Sequence, residues 1–347
     1  MQFGLVGAGG IGNVRAQALT QSAGCRLVAV TDQDEKRAQA LAAATGAKAV
    51  PGYRELLKVD SLEAVIISTP PQFHEEIAVA AMAAGKHVLC EKPLANSVEA
   101  ARRMVEAARH HGKTLATGFN HRYFEAVQFV KETLDSGAIG ELDHIRAFTG
   151  HTGLSEFKAA WMHDKDVMGG GTLLDNGVHI IDLTRYLLGE VVEVYGIATT
   201  GVWKLDRSED NGIAILTNPQ GKHAVLQATW SEWKGYRFSI EAYGDRGMAR
   251  ASYAPMMSMS VTMDKPGGAR RIQRNFYPAN ILREKVKGWQ STVVRGFRQE
   301  YQDFIALCGG KPNIIANGFA GFRAVEIAHA VYRCNVEKRA IQLSDPF

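Results

Sequence analysis

Two separated sets of side chains in this sequence could move a proton to or from an alcohol. Lys92 follows the apolar, strand-like run His87–Cys90, and a lysine there can hydrogen-bond a substrate hydroxyl and stabilise its oxygen as the proton leaves. Asp175 and His179 are four residues apart, so on a helix they share one face. A carboxylate beside an imidazole fixes its tautomer and raises its basicity, which suits a general base near neutral pH. These residue types therefore favour proton transfer during oxidation of a carbinol carbon.

Each set also has a structural interpretation that the sequence leaves open. Lys92 could be a surface lysine at the end of a strand. Asp175 and His179, with Asp182 further along the same helical face, could be a structural pair or two members of a three-ligand metal site. We find no convincing further metal ligands and therefore predict no metal.

A third polar cluster, Asn120-His121-Arg122-Tyr123, directly follows Gly118-Phe119. Asparagine, histidine and arginine side chains together can hold a polyol or a carboxylate, so the cluster is a candidate substrate contact. The alternative interpretation is the solvated chemistry of an ordinary linker.

A glycine turn near the start of the chain predicts a dinucleotide coenzyme. An apolar strand at Phe3–Val6 runs into a turn that opens a helix. The turn residues expected at the coenzyme are Gly7, Gly9, Gly10, Ile11 and Gly12. The first glycine permits the tight turn, the second lets backbone approach a pyrophosphate, and the last lets helix pack on strand. The helix N-terminus adds N–H groups and the positive end of its dipole. Strand, turn, helix, second strand and the acid Asp32 follow in the order of the dinucleotide-binding fingerprint.

The residues after the second strand favour NAD over NADP. Asp32 would accept hydrogen bonds from the ribose hydroxyls and repel a 2′-phosphate. Gln33 and Asp34, which follow it, supply no arginine to receive that phosphate.

The elements that must position these side chains follow two patterns. In the first 120 residues strand-like and alanine-rich helical segments alternate, which predicts a parallel, doubly wound sheet with ligands at the carboxyl ends of its strands. The predicted strands are Phe3–Val6, Leu27–Thr31, Ala64–Ser68, His87–Cys90 and Thr114–Thr117, and the predicted helices are Asp34–Ala44, Phe73–Ala84 and Val98–His111.

After Phe119 the strand-like runs succeed one another, which predicts an α+β domain with an open, mostly antiparallel sheet. The predicted strands are Leu142–Thr149, Val191–Thr200, Ile213–Leu216, Ala224–Trp230, Arg237–Tyr243, Ala249–Tyr253 and Met257–Met263, and two late helices are predicted near Gln290–Leu307 and Gly318–Lys338. The alternating methionines of Met257–Met263 are expected in the core or at a subunit interface. We therefore expect an α/β chain with a Rossmann NAD-binding domain at 1–120 and a substrate-binding and oligomerisation domain at 121–347. The last helix of the second domain can pack back on the first.

The composition argues against several other classes of protein. With 347 residues, 46% of them hydrophobic and 22% charged, the chain is typical of a soluble globular protein of two domains. A net charge of +4 gives no indication of a nucleic-acid or membrane partner. The basic stretch Arg270–Arg298 is interpreted as a solvated surface, and the alternative is that it contributes a cation to an acidic substrate. The four cysteines are scattered, which favours a reduced, cytoplasmic protein. No signal peptide or membrane-spanning run is indicated.

Taken together, the motifs resemble those of the glucose–fructose oxidoreductase/inositol dehydrogenase family (Gfo/Idh/MocA). The motifs that carry the resemblance, in the family's order, are the glycine turn, Ser68-Thr-Pro-Pro-Gln-Phe-His74, Glu91-Lys92-Pro93, Gly118-Phe-Asn-His-Arg122 and Asp175-Asn-Gly-Val-His179. The resemblance covers essentially the whole chain, and motifs in register are specific where each alone is not.

The resemblance implies a role for each motif. His179 would be the acid/base, Asp175 would orient it or bind a substrate hydroxyl, and Lys92 would bond the reacting oxygen. The Lys92–Pro93 bond would be cis. Besides the glycine turn, Asp32 and Gln33, the residues implied at the coenzyme are Ser68, Thr69, Pro70, Pro71, His74, Glu91 and Lys92. The residues implied at the substrate are Lys92, Asn120, Arg122, Trp161, Asp175, Asn176 and His179.

These observations predict an NAD-dependent oxidoreductase that converts a secondary alcohol of a sugar, sugar derivative or cyclitol to a ketone, or the reverse. The family resemblance also implies a homodimer or homotetramer. Two alternatives stay open: an enzyme that cleaves glycosides through transient oxidation with NAD, and a non-catalytic dinucleotide-sensing regulator.

Overall fold

The computed structural model of the protein describes residues 1–155, 157 and 159–343, and it divides into two compact units. The first unit contains residues 1–120 and 283–325. The second contains residues 121–282 and the described residues from 326 onward. No helix in the described part of the chain is long and apolar enough to cross a bilayer.

Strands and helices alternate along the first 120 residues, whereas strands predominate from residue 142 to residue 276. Up to residue 120 the elements are β1 (Gln2–Val6), α1 (Gly10–Thr20), β2 (Arg26–Thr31), α2 (Glu35–Thr45), β3 (Lys48–Ala49), α3 (Tyr53–Leu56), β4 (Ala64–Ile67), α4 (His74–Ala83), β5 (His87–Cys90), α5 (Val98–His110) and β6 (Leu115–Thr117). The next are α6 (Glu125–Asp135), β7 (Leu142–Gly150), α7 (Lys165–Met168), α8 (Val178–Leu188), β8 (Glu193–Thr199), β9 (Asn211–Thr217), β10 (His223–Thr229), β11 (Arg237–Gly244), β12 (Gly247–Tyr253), β13 (Met257–Thr262) and β14 (Arg271–Phe276). The last are α9 (Pro278–Lys287), α10 (Gln290–Cys308), β15 (Ala316–Asn317), α11 (Gly318–Glu337) and β16 (Ile341–Gln342).

The sheet of the first unit has the strand order β15-β6-β5-β4-β1-β2-β3. All neighbours run parallel except β15, which pairs with β6 in the antiparallel sense. Strands such as β4 are apolar and buried along their whole length, as expected where helices cover both faces of a sheet. The predicted parallel, doubly wound sheet is confirmed. Its carboxyl edge carries the residues that follow β1, β4 and β5, where ligands bind in folds of this kind.

A late helix, α10, completes the core of the first unit. Phe297, Tyr301 and Phe304 on α10 are buried, and the last two pack with their rings about Phe3 of β1. The hydroxyl of Tyr301 donates a hydrogen bond to the main-chain oxygen of Arg15 at 2.9 Å. Residues that are distant in sequence therefore support the strand and the helix that flank the glycine turn.

The sheet of the second unit has the order β14-β13-β12-β11-β7-β10-β9-β8-β16. Its neighbours are antiparallel except for the parallel pair β7–β10, so the predicted mostly antiparallel sheet is confirmed. One face is covered, with α8 packed on β7, β10 and β11. On the other face, large apolar side chains of β8, β9 and β10 are exposed: Tyr195, Ile197, Ile213, Ile215 and Val225.

The structure differs from the sequence prediction at the methionine strand and at the elements beside it. In β13 the serines Ser258 and Ser260 are buried and the methionines are only half-buried, so the methionines are not core, and their place at a subunit interface stays a prediction. The hydroxyl of Ser258 is hydrogen-bonded to Tyr277 and Asn275, and a satisfied polar group can be buried at little cost. The helix α6 and the strand β14 were not predicted. β14 in particular is largely exposed and shows no apolar alternation.

Candidate active site

The glycine turn after β1 is shaped by close approaches between main-chain atoms. Gly7 has φ +100°, a conformation that favours glycine, and a Cβ there would stand 2.6 Å from the carbonyl oxygen of Ser68. A Cβ on Gly12 would collide with the carbonyl oxygen of Gly7. Positions Gly9 and Gly10 have no atom within 4 Å of where a Cβ would stand. The turn is therefore tightly packed against the protein at Gly7 and Gly12, and it leaves open space at Gly9 and Gly10.

Polar side chains fix the turn from both ends. The Asn13 amide donates to the carbonyl oxygens of Ala8 and Gly9, each at 2.8 Å. Asp32, directly after β2, accepts a hydrogen bond from the Ala8 N–H at 2.6 Å. Gly9 caps α1 without any side-chain hydrogen bond, so the first N–H groups of the helix remain available. An open cradle of N–H groups beside a carboxylate fits the pyrophosphate and ribose of a dinucleotide such as NAD. Asn13 has no place in the glycine pattern, and sequence reasoning missed it.

The Ser68–Pro71 loop after β4 is joined to the loop after Lys92 by His74. Nε2 of His74 lies 2.8 Å from the Thr69 carbonyl oxygen, and Nδ1 lies 3.1 Å from the Pro93 carbonyl oxygen. The side chain is fully buried, and burial lowers its pKa although the carbonyl oxygens oppose that effect. His74 therefore links the two loops, and the coenzyme contact expected from the sequence stays a prediction.

Lys92 follows β5 at the carboxyl edge of the parallel sheet and is half-buried. Its peptide bond to Pro93 is cis, as the family resemblance implied. Glu91, also expected at the coenzyme, pairs with the buried Arg15 at 2.6 Å. Sequence reasoning missed Arg15, although it lies on the buried face of α1 with Gly12, where a charged side chain is unusual.

In the second unit, Asp175 lies in a π-helical segment, Leu173–Gly177, which leads directly into α8. Its start is fixed by Glu209, whose carboxylate accepts hydrogen bonds from the N–H groups of Gly171 and Leu173 at 2.8 Å each. Burial raises the pKa of Glu209, and these hydrogen bonds oppose the rise. The i, i+4 spacing considered for Asp175 and His179 assumed a regular helix, whereas the structure has a π-segment at Asp175; such segments are frequent at functional sites.

Asp175 is held by two side chains that spacing does not predict. Its Oδ2 accepts a hydrogen bond from Trp230 Nε1 at 3.1 Å and lies 3.0 Å from His151 Nε2. Nδ1 of His151 accepts from the Gly153 N–H at 3.0 Å, so His151 carries its proton on Nε2 and donates it to Asp175. His151 and Trp230 lie 24 and 55 residues from Asp175 along the chain, and no local pattern marks them.

His179, on α8, is buried against His121. The two imidazole rings are stacked with centroids 3.9 Å apart, and His121 Nε2 lies 3.2 Å from the Tyr236 hydroxyl. His121, part of the candidate Asn120–Tyr123 cluster, therefore lies next to the expected acid/base, and Tyr236, which no sequence pattern marked, lies next to His121.

Arg122 and Asp182 pair with each other. Nε and Nη2 of Arg122 donate to the two carboxylate oxygens of Asp182 at 2.8 and 2.6 Å. Arg122 is only 7% exposed and Asp182 is fully buried. Burial alone would lower the pKa of Arg122, but Asp182 raises it. Asp182 therefore pairs with Arg122, and the substrate contact expected of Arg122 stays a prediction.

The remaining expected substrate residues lie in different settings. Asn176 is buried and accepts a hydrogen bond from the Thr172 hydroxyl at 2.8 Å. Trp161 lies in a short 3-10 helix, Ala160–His163, with 38% of its surface exposed. Asn120 is half-buried at the last position of the first segment of the first unit. Within the described residues, no group of three or more His, Cys, Asp or Glu side chains is arranged to hold a metal ion.

Comparisons with known proteins match both parts of the chain. Residues 1–119 match the oxidoreductase family with an NAD-binding Rossmann fold, and residues 127–250 match the GFO/IDH/MocA C-terminal domain. Inositol 2-dehydrogenase of Rhizobium meliloti (strain 1021) is 28% identical over 99% of both chains. Inositol 2-dehydrogenase of Rubrobacter xylanophilus is 30% identical over 84% of this chain and 83% of its own.

Solved structures share the fold. The structure of GenD2 from gentamicin A biosynthesis in complex with NAD is 27% identical, covers 99% of this chain and 97% of its own, and has a TM-score of 0.82. The sequence matches and this likeness agree with the glycine turn, the parallel sheet and the second, antiparallel sheet. The chain therefore belongs to the Gfo/Idh/MocA family of NAD-binding, Rossmann-fold oxidoreductases.

Proposed function

We propose that the protein oxidises a secondary alcohol of a sugar, sugar derivative or cyclitol to the ketone with NAD, or catalyses the reverse reduction. The observation that carries the proposal is Lys92 at the carboxyl edge of the coenzyme-binding sheet, in a chain that also holds Asp175 and His179 on one helical segment. Relatives named inositol 2-dehydrogenase support a polyhydroxylated substrate.

In the proposed reaction three side chains handle the hydroxyl group. NAD, when bound, supplies the acceptor for the hydride. Nζ of Lys92 donates a hydrogen bond to the reacting oxygen, and an imidazole nitrogen of His179 takes the hydroxyl proton during oxidation and returns it during reduction. Asp175 accepts a hydrogen bond from a substrate hydroxyl or orients His179. The hydrogen bonds from His151 and Trp230 support a fixed Asp175, because a preorganised carboxylate needs little rearrangement during the reaction.

The coenzyme preference is also a proposal. Asp32 follows β2 and Gln33 is exposed beside it, which supports binding of a ribose with free hydroxyls and therefore NAD over NADP. Asn120 and Trp161 are kept as proposed substrate contacts.

A panel of sugars and inositols, tested for NAD reduction, is the direct test. With the best alcohol, we expect Lys92→Ala and His179→Ala each to lower kcat by about 100-fold or more. Lys58→Ala is the matched control, since Lys58 is exposed in the same unit and pairs only with Glu55 among the described salt bridges. Full activity of Lys92→Ala would contradict the proposal. Release of a free sugar without net NADH would instead favour glycoside cleavage.

We further propose a homodimer or homotetramer in the cytoplasm. The exposed apolar side chains on the outer face of β8, β9 and β10 support association, because monomers rarely expose contiguous apolar patches. The four cysteines, all free thiols in the structure, support a reducing compartment.

A further inference from the structure

A buried arginine, Arg15, lies at the centre of the first unit's polar core. It is on α1, three residues after Gly12, and its side chain is fully buried. Its Nε donates to Glu91 Oε1 at 2.6 Å, and its Nη1 donates to Glu300 on α10. The guanidinium carbon lies 3.6 Å from the centre of the Phe297 ring. The guanidinium is therefore held in place by two carboxylates and one ring face.

Glu91 links Arg15 to Lys92. Its second carboxylate oxygen accepts a hydrogen bond from the Lys92 main-chain N–H at 3.3 Å. On the other side of the guanidinium, a Cβ on Gly118 would collide with Nη2 of Arg15. Three motifs of the sequence thus meet at one side chain: the helix that begins at the glycine turn, Glu91-Lys92, and Gly118.

The charges of this cluster do not make it an obvious source of stability. Burial alone would lower the pKa of Arg15, but Glu300 and Glu91 raise it above its ordinary value. Burial raises the pKa of Glu300 to about 7, although Arg15 opposes that rise. Nonpolar replacements of buried ion clusters are often neutral or stabilising, so such clusters need another explanation than stability.

We propose that Arg15 is a positioning residue for Lys92. Because α1 starts at the pyrophosphate-binding turn, Arg15 joins that turn to the residue before Lys92. By fixing the Glu91 carboxylate, the guanidinium sets the main chain of Lys92 and hence the place of its ammonium group relative to the coenzyme turn. The inference rests on the proposed function, in which Lys92 bonds the reacting oxygen.

Arg15→Met tests the proposal, because it removes the guanidinium and keeps an unbranched side chain. We expect kcat for NAD reduction, with the best alcohol of the panel, to fall about 10- to 100-fold, since small misplacements of reacting groups have effects of this size. The Kd for NADH, measured by fluorescence titration, should change by less than about threefold. If Arg15→Met does not fold, Arg15→Lys keeps the buried charge, and Gly118→Ala displaces the guanidinium from its other side.

Tyr301→Phe is the matched control for stability. It removes the buried hydroxyl that bonds the main-chain oxygen of Arg15 and leaves Glu91, Glu300 and the Phe297 ring, which hold the guanidinium, unchanged. We expect its Tm to fall while kcat stays unchanged. Equal losses of Tm accompanied by equal losses of kcat in Arg15→Met and Tyr301→Phe would overturn the positioning role.

A double-mutant cycle separates this inference from the proposed function. If Arg15 acts through Lys92, adding Arg15→Met to Lys92→Ala lowers kcat/KM no further. A further loss equal to that of Arg15→Met alone would overturn the inference and leave the role of Lys92 intact. Full activity of Lys92→Ala alone would overturn the proposed function instead. If Lys92→Ala has no measurable turnover, the test of the positioning role is the comparison of Tm and kcat between Arg15→Met and Tyr301→Phe.

Discussion

The glycine turn of the first unit and the Asp175 cluster of the second are held in place by different parts of the chain. In the turn, Gly7 and Gly12 pack against main-chain atoms, and N–H groups at the start of α1 remain available. In the cluster, Asp175 is held by the side chains of His151 and Trp230. A main-chain site is therefore disrupted by adding atoms, whereas a side-chain site is disrupted by removing them.

The two units also differ in how they neutralise a buried arginine. Arg122 in the second unit pairs with one carboxylate, Asp182, through two parallel hydrogen bonds. Arg15 in the first unit pairs with two carboxylates, Glu91 and Glu300. A one-to-one pair is neutral by itself, whereas a cation between two acids leaves one carboxyl group that titrates more easily in the native state. The Arg122–Asp182 pair is therefore suited to a structural role. The Arg15 cluster is expected to make the free energy of unfolding depend on pH.

Removal of one partner of the neutral pair is expected to have the largest effect. Arg122→Met leaves Asp182 buried without its cation, which should lower the free energy of unfolding by about 3–5 kcal/mol. The double variant Arg122→Met/Asp182→Leu should recover most of that loss, because no uncompensated charge remains. Urea unfolding followed by circular dichroism measures both. A double variant as unstable as Arg122→Met would show that the pair matters through packing rather than charge.

Substitution of glycines in the turn by alanine is expected to have the next largest effect. It tests whether the turn is disrupted by adding side-chain atoms. Gly12→Ala places a Cβ against the Gly7 carbonyl oxygen, so we expect both a lower Tm and a loss of NADH affinity of about 100-fold. Gly9→Ala meets no protein atom within 4 Å, so it should lose a similar affinity by obstructing the pyrophosphate while its Tm without coenzyme stays unchanged. Calorimetric titration with NADH, together with thermal unfolding of both variants, measures the two effects. Equal Tm losses in the two variants would contradict this account.

How well the sequence predicts each site follows from the same difference. Most strands of both sheets, the glycine turn and the place of Lys92 are predictable because local patterns and main-chain sterics determine them, whereas the exposed strand β14 is not. The neighbours of Asp175 and His179 are not, since His151, Trp230 and Tyr236 reach the cluster through tertiary pairing. Arg122 belongs to a local sequence motif, yet the carboxylate that it pairs with, Asp182, lies sixty residues away along the chain. In the second unit, sequence patterns thus mark candidate residues but not the side chains that these residues contact.

The two-carboxylate cluster predicts a pH dependence of stability that depends on Glu300. Its pKa is raised from 4.5 to about 7 in the folded protein, mainly by burial. The native state therefore binds this proton more tightly than the unfolded state, and the stabilisation is full below about pH 4.5 and lost as pH rises through about 7. Arg15 and Glu91 pair within the cluster, and Tyr301 and Asp303 are its other titratable neighbours.

Glu300→Gln should abolish that dependence. Between pH 5 and 8 the wild type should lose up to roughly 3 kcal/mol relative to the variant, taking the full pKa difference as an upper bound. Glu337→Gln is the control, since salt bridges on the surface lower the pKa of Glu337 and any effect of its charge is lost below that window. Urea midpoints at pH 5 and 8 measure the difference. If the urea midpoint changes by the same amount between pH 5 and pH 8 in the wild type and in Glu300→Gln, the cluster does not titrate in this range.

The smallest change in protomer stability is expected for a substitution on the exposed face of the second sheet. This substitution tests how the two sheets differ in the burial of their faces. The sheet of the first unit has apolar strands buried along their length, whereas the outer face of β8–β10 exposes Ile215 and its apolar neighbours. Ile215→Lys should change the free energy of unfolding by less than about 0.5 kcal/mol, as surface substitutions usually do, yet lower the mass seen by light scattering if this face joins subunits. Ile272→Lys is the matched control, because Ile272 is 52% exposed on β14 of the same sheet and lies outside the outer face of β8–β10. Equal masses for wild type and both variants would remove this face as the contact surface. A lower mass for Ile215→Lys alone would mean that the uncovered face of the second sheet is completed by another subunit, where the first sheet is completed by its own helices.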